Sequence, residues 1–174
     1  MKAVTKQVVY VLALLLLVFF LWEYPMLYPL KLLVVFFHES SHALATLVTG
    51  GQVLEMVVVA QQGGHVISAG GNRFIMLTAG YLGSLLWGVV IYTVATVTRF
   101  DRLAMFLLGA AIAAITVLFV SNGFAIGYGL VTAVAMILAA KFLHRDLNDF
   151  FLRLIGLTSM LYVAVDIYSC LLYT

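Results

Sequence analysis

The sequence predicts an all-α polytopic membrane protein of about six transmembrane helices, with one membrane-associated β-hairpin after the second helix. First, 65% of the 174 residues are hydrophobic and only 9% are charged, and the mean hydropathy of +1.17 lies far outside the range of soluble domains. Second, apolar runs of roughly 20 residues, the length that crosses a bilayer core of about 30 Å, recur along the chain. Third, residues 50–72 break the helical pattern.

Six apolar runs fit a bilayer-spanning helix, and short polar connections separate them. We expect spans at approximately 8–22, 28–49, 74–97, 103–120, 124–142 and 150–173. The first run resembles a signal peptide, but the residues after it offer no small-residue cleavage site, so we expect it to be retained as an anchor. No solenoid-length repeat or low-complexity tract divides the chain, and we expect a single domain over residues 1–174.

The second run contains the sequence His38-Glu39-Ser40-Ser41-His42. Histidines four residues apart lie on one face of a helix, where two imidazoles can bind one tetrahedral zinc ion. Glu39 lies about 100° around the helix, where its carboxylate can take a proton from a water attacking a carbonyl and deliver it to the leaving amine. A charged group inside such a helix costs on the order of 2.5 to 3.5 kcal/mol. A bound Zn²⁺ would compensate this cost; a polar cavity without metal is the alternative.

Residues 50–72 follow the motif helix directly. A β-branched run, 53–60, precedes a second extended run, 61–68, and the two predict a β-hairpin around Gly63 and Gly64. A two-stranded hairpin is marginally stable alone, so it should lean on the protein or dip into the membrane interface. There it could hold an extended peptide by edge pairing, with the two glycines contacting the substrate. An ordinary interfacial loop is the alternative.

A catalytic zinc ion normally has three protein ligands, so the motif needs a third from elsewhere. Asp166 is the only acidic residue in the interior of the other five predicted spans, and an intramembrane carboxylate is a functional candidate by default. A packing carboxylate bonded to a hydroxyl group is the alternative for this residue. His65 and Asn122 are lesser candidates, and Asn122 could instead hydrogen-bond a substrate backbone.

Small residues recur every four positions in the third predicted span, at Gly80, Ser84 and Gly88. Such a stripe lets membrane helices approach closely, and we expect it to pack against the motif helix.

The charge and the cysteine content exclude other classes of function. A net charge of +2, scattered along the chain, excludes a nucleic-acid surface, and the single cysteine, Cys170, excludes a disulfide framework or a cysteine-based zinc site.

The motif and three further elements resemble the site-2 proteases, zinc metalloproteases that cut transmembrane or membrane-adjacent segments, and in particular a compact branch of that family. The resemblance rests on Phe37-His38-Glu39-Ser40-Ser41-His42-Ala43, Thr49-Gly50-Gly51, Gly63-Gly64 and Ala79-Gly80-Tyr81-Leu82-Gly83. It implies that His38 and His42 are zinc ligands, that Glu39 is the catalytic base and that the hairpin contacts substrate on the cytosolic side. It also implies a cytosolic N-terminus, whereas the distribution of Lys and Arg slightly favours the opposite orientation.

The chain departs from the usual family pattern at one element. It lacks the Asn-Pro-x-Pro and Leu-Asp-Gly element that supplies the third ligand, so Ser121-Asn122-Gly123-Phe124 would be its degenerate counterpart and Asp166 would replace the missing aspartate. The sequence therefore predicts a multi-pass zinc metalloendopeptidase of the cell membrane, which hydrolyses peptide bonds in or near membrane segments of a protein or peptide substrate within the lipid bilayer. A catalytically inactive homologue that binds membrane segments is the alternative.

Overall fold

The fold is taken from a computed structural model that describes residues 2–22 and 24–172, with side-chain environments for residues 8–22 and 24–164. It is mostly helical, with one small hairpin after the second helix, as predicted. The elements in chain order are α1 (Lys2–Phe20), a 3-10 turn (Pro25–Leu27), α2 (Tyr28–Val48), β1 (Gln52–Val59), β2 (Gly63–Ala69), α3 (Arg73–Val97), α4 (Asp101–Phe119), α5 (Gly123–Phe142) and α6 (Arg145–Leu172).

The described residues do not confirm the predicted count of about six membrane spans. Within the described residues, four helices are long and apolar enough to cross a membrane: α3, α4, α5 and the part of α6 that ends at Ala164. Val8–Phe20 and Pro25–Val48 meet at a bend of 112°, so together they add at most one further span. Pro25 and Pro29 each stand at the start of a helical segment. Proline lacks an N–H donor and clashes with a preceding turn, which explains why the chain bends here instead of continuing as one helix.

The hairpin runs back along α2. Its first strand begins just after α2 ends, and at its far end the Tyr28 hydroxyl, in the first turn of α2, donates a hydrogen bond to the Ala60 carbonyl at 2.7 Å. Met56 and Val58 in β1 are fully buried. The strand therefore packs against protein over the length of α2 and does not form an interfacial loop. Such burial is the condition under which non-helical backbone is tolerated at membrane depth.

The hairpin turn lies before the two glycines that were predicted to form it. β1 and β2 are antiparallel, with Val59 opposite Gly63 and Val58 opposite Gly64, and residues 60–62 make the turn. Gln62, which is not a glycine, adopts the left-handed conformation there with φ 63°. The two glycines are thus strand residues. We relate the small size of Gly64 to its packing on α2.

The small-residue stripe of α3 packs against two helices, α2 and α6. Gly80 lies against α2, but the Ser84 carbonyl accepts a hydrogen bond from the Ser159 hydroxyl of α6 at 2.7 Å. Gly88 meets Gly156 of α6, since a Cβ built on Gly88 would lie 2.7 Å from the Gly156 carbonyl oxygen. The expectation that the whole stripe packs on the motif helix is therefore wrong for its second half, because α3 crosses α2 near Gly80 and follows α6 beyond it.

The contact between Gly88 and Gly156 leads to a stability prediction. Gly156→Ala should lower the free energy of unfolding by about 1–3 kcal/mol, because the new methyl group would meet backbone atoms of α3, which cannot move aside. Titration of the purified protein in micelles with denaturing detergent measures the change. Gly127→Ala in α5 is the matched control, since nothing lies within 4 Å of its Cβ position. Equal stability of the two variants would contradict the close packing of α3 on α6.

Candidate metal centre

His38 and His42 lie one turn apart in α2, and their imidazole rings face the same point. The ring centroids are 4.8 Å apart with an interplanar angle of 72°. That point is the position that a Cβ would occupy on Gly80 of α3, which would collide with the Nε2 atoms of both histidines. The two Nε2 atoms therefore lie close together against the main chain of Gly80, and we call this arrangement the cradle. This cradle fits a metal ion of the kind that histidine binds.

The second nitrogen of His42 is held by α3. Its Nδ1 atom lies 2.6 Å from the main-chain carbonyl oxygen of Met76, one turn before Gly80. Because a carbonyl group only accepts hydrogen bonds, Nδ1 carries the proton and Nε2 keeps its lone pair for a ligand bond. Metal-binding histidines are generally fixed in this way by a hydrogen bond from the other ring nitrogen. The ring of the other histidine, His38, packs edge-on against the Tyr81 ring, with ring centroids 5.1 Å apart.

Glu39 is buried beside this pair. The residue is only 5% exposed, and no hydrogen-bond donor in the described part of the chain reaches its Oε2 atom. A buried carboxylate oxygen without a donor is costly and rare in folded proteins. A water molecule, a proton or a metal ion at the site would satisfy it, as expected for a group that acts on a reacting water.

The hairpin covers Glu39 through Gly64. A Cβ built on Gly64 would lie 2.7 Å from Glu39 Cγ, 2.8 Å from Glu39 Oε1 and 2.7 Å from the Val57 carbonyl oxygen. Only glycine fits this position, which gives the predicted substrate-contacting Gly64 a place next to the candidate base. Gly63 is less confined, with Val59 as its nearest neighbour at 3.7 Å. It lies at the start of β2, and a substrate contact there remains a prediction.

Asn122 lies on the far side of the hairpin. Its Nδ2 group donates to the Val58 carbonyl at 2.8 Å, and its Oδ1 atom accepts from the Val58 N–H at 3.3 Å. The amide that was predicted to bind a substrate backbone is thus engaged by β1. His65 follows Gly64 in β2 and is exposed. Since successive strand residues point to opposite faces, His65 faces away from Glu39 and the two ring nitrogens.

Asp166, the predicted third ligand, belongs to α6, but its side chain lies outside the described residues. In the part of the chain whose side chains are described, no three His, Cys, Asp or Glu residues cluster closely enough to hold a metal ion. The structure thus brings together His38, His42 and Glu39, and the third ligand remains a prediction. The sequence did not predict two contacts at this site. We expected Gly80 to serve helix packing, and its contact with both histidine rings was not predicted. The contact of His42 with Met76 is made by a main-chain carbonyl group, which every residue has, so the residue type gives no indication of it.

Comparison with known proteins gives one result. The family model described as Peptidase M50B-like matches residues 11–173, a range that begins in α1 and includes both histidines, the hairpin and all of α6. No curated protein and no solved structure matches the chain.

The cradle at Gly80 leads to a metal-binding prediction. Gly80→Ala should weaken zinc binding at least about tenfold, because the added methyl group occupies the point on which both Nε2 atoms converge. Zinc per chain, measured by elemental analysis after dialysis against a buffered zinc concentration, reports the change. Gly127→Ala serves as the control for a glycine substitution with no neighbours. Zinc content equal to that of the wild type would place the metal site elsewhere.

Proposed function

The chain belongs to the Peptidase M50B-like family, the site-2 proteases, and on this basis we propose that it is a zinc-dependent endopeptidase that hydrolyses peptide bonds in or near transmembrane segments. One observation carries the proposal. Two histidine nitrogens lie close together against the main chain of Gly80, and a buried carboxylate with an unsatisfied oxygen stands next to them in the same helix. Membership of a membrane protease family and the apolar helices support an integral membrane location.

In the proposed site the Nε2 atoms of His38 and His42 hold the zinc ion, which, when bound, polarises the scissile carbonyl and lowers the pKa of a water molecule. We assign the third ligand to Asp166. Helices α3 and α6 run antiparallel, with Gly156 at Gly88 and Ser159 at Ser84, so the later residues of α6 lie beside the earlier residues of α3. Asp166 follows Ser159 by seven residues, and positions seven apart share one face of an α-helix, which supports this assignment.

Glu39 acts as the base and then as the acid. Its carboxylate accepts a proton from the attacking water and delivers it to the nitrogen of the leaving amine, so that the peptide bond breaks without a charged amide anion being released. Burial under Gly64 excludes bulk water from this carboxylate. The same contact brings β2 to within van der Waals distance of the Glu39 side chain.

The substrate is proposed to pair with the free edge of β2. The other strand, β1, is bordered on its far side by the Val120–Asn122 segment, whereas within the described residues no further strand pairs with β2. Unpaired strand backbone at membrane depth requires a partner or a water-filled cavity, and an extended peptide added to a sheet edge supplies the hydrogen bonds. Gly64 lies in β2 next to Glu39, so a peptide on this edge passes the base.

The role of Glu39 is tested by separating metal binding from cleavage. Glu39→Gln should retain zinc and lose cleavage of a reconstituted membrane-protein substrate by roughly 10²- to 10⁴-fold, because the amide cannot accept the proton. His38→Ala and His42→Ala should lose both zinc and cleavage. Zinc content and product formation are measured on the same preparations.

Retained cleavage in the Glu39→Gln variant would contradict the assignment of the base. If neither the wild type nor this variant cleaves any membrane segment, but both capture such segments equally, the chain acts as a binding homologue and not as a peptidase.

The third ligand is tested in the same way. Asp166→Ala should lower the zinc content to well below one ion per chain, because two imidazoles alone leave half of a tetrahedral shell without protein ligands. Asp146→Ala, which removes an exposed carboxylate at the start of α6, is the matched control and should retain zinc. If Asp166→Ala binds zinc as tightly as the control does, Asp166 is not a ligand.

A further inference from the structure

The turn between α4 and α5 contacts β1 along the edge that faces away from β2. Val120 forms a parallel bridge with Met56, and the Ser121 main-chain N–H donates to the Met56 carbonyl at 3.1 Å. The Ser121 hydroxyl donates to Glu55 Oε1 at 2.9 Å. The turn therefore continues the sheet on the side opposite β2, although it is too short to count as a strand.

Asn122 completes this edge with its side chain. A primary amide has the same donor and acceptor as a peptide group, and Asn122 uses both on one residue of β1, donating to the Val58 carbonyl and accepting from the Val58 N–H. Val58 is fully buried, so these main-chain groups have no access to bulk water. An unpaired buried amide or carbonyl group would be costly, which makes this pair a strong constraint on the position of β1.

A line of contacts connects Asn122 to the candidate base. Val58 stands opposite Gly64 in the antiparallel register, and Gly64 lies against Glu39. The amide of Asn122 fixes β1, β1 holds β2 through the antiparallel ladder that includes this pair, and β2 closes over the carboxylate. The α4–α5 turn thus holds the hairpin on one side while α2 supports it on the other.

We propose that Asn122 is a positioning residue that keeps the hairpin docked on Glu39, and that it does not contact the substrate. The inference deepens the proposed peptidase function and rests on it for its catalytic consequence. Docking itself is a property of the free protein. It can therefore be measured whether or not the chain cleaves a peptide.

The test uses Asn122→Asp, which keeps the shape of the side chain. Aspartate retains an acceptor for the Val58 N–H but loses the donor, and its second carboxylate oxygen faces the Val58 carbonyl oxygen. Two acceptors in contact repel each other, so the hairpin should undock more often. Asn72→Asp is the matched control, because Asn72 caps α3 with its acceptor oxygen alone, accepting from Phe74 N and Ile75 N. Aspartate fills that role as well as asparagine does.

Hydrogen exchange of the substrate-free, zinc-loaded protein in lipid nanodiscs is the first measurement. Main-chain amides of β1 and β2 should exchange at least roughly fivefold faster in Asn122→Asp than in the wild type, the effect expected from loss of one buried hydrogen bond. Exchange in α3 and α6 should stay unchanged, which shows that the variant is folded, and Asn72→Asp should match the wild type in the hairpin. Asn122→Ala, which removes both hydrogen bonds without adding charge, should give the same pattern.

Steady-state cleavage is the second measurement. In Asn122→Asp, kcat should fall roughly tenfold or more with KM within about twofold of the wild type, because a peptide on β2 is held less accurately beside Glu39, whereas the main-chain groups of the β2 edge that bind it are unchanged. Hairpin exchange at the wild-type rate in both Asn122 variants would overturn the proposal, as would a raised KM with unchanged kcat, the result of a direct substrate contact. A wild-type protein that cleaves nothing would count against the peptidase function alone, since the exchange result stands without it.

Discussion

The close approach of α3 to α2 at Gly80 is the constraint on which the candidate site depends. Any side chain at this position would collide with the Nε2 atoms of His38 and His42. The same helix supplies the Met76 carbonyl that fixes the His42 ring one turn away. Thus α2 carries the two candidate ligands, and α3 fixes the orientation of one imidazole. A metal ion bound by both histidines would lie at the contact between these two helices.

In the proposed peptidase, the hairpin presents a peptide bond to a carboxylate that is buried inside the membrane. Helical substrates hide their carbonyl groups in internal hydrogen bonds, so a scissile bond must be presented on extended chain. Strand β2 offers an edge for such a chain, and its Gly64 lies next to Glu39. The α4–α5 turn closes the opposite edge through Asn122. Segments far apart in the sequence therefore border the hairpin, with the α4–α5 turn on β1 and Glu39 of α2 against Gly64.

The sequence was informative where local spacing determines structure. The separation of four residues between His38 and His42 predicted two imidazoles on one face, and the β-branched run after α2 predicted a hairpin. Interactions between distant segments were less accessible. Nothing in the sequence indicated that the Asn122 amide pairs with Val58, that the Met76 carbonyl meets His42, or that the small-residue stripe divides between α2 and α6. Hydropathy also does not register the bend at Pro25 and Pro29, so the predicted count of about six spans is not confirmed.

Zinc K-edge X-ray absorption on the purified full chain most directly tests whether the cradle between α2 and α3 holds the metal ion. The geometry predicts a shell with two imidazole nitrogens at about 2.0–2.1 Å, completed by oxygen ligands, with multiple-scattering features from both rings. A shell with one imidazole, or one with sulfur at about 2.3 Å, would contradict this arrangement. Failure of the protein to retain any zinc would contradict it as well.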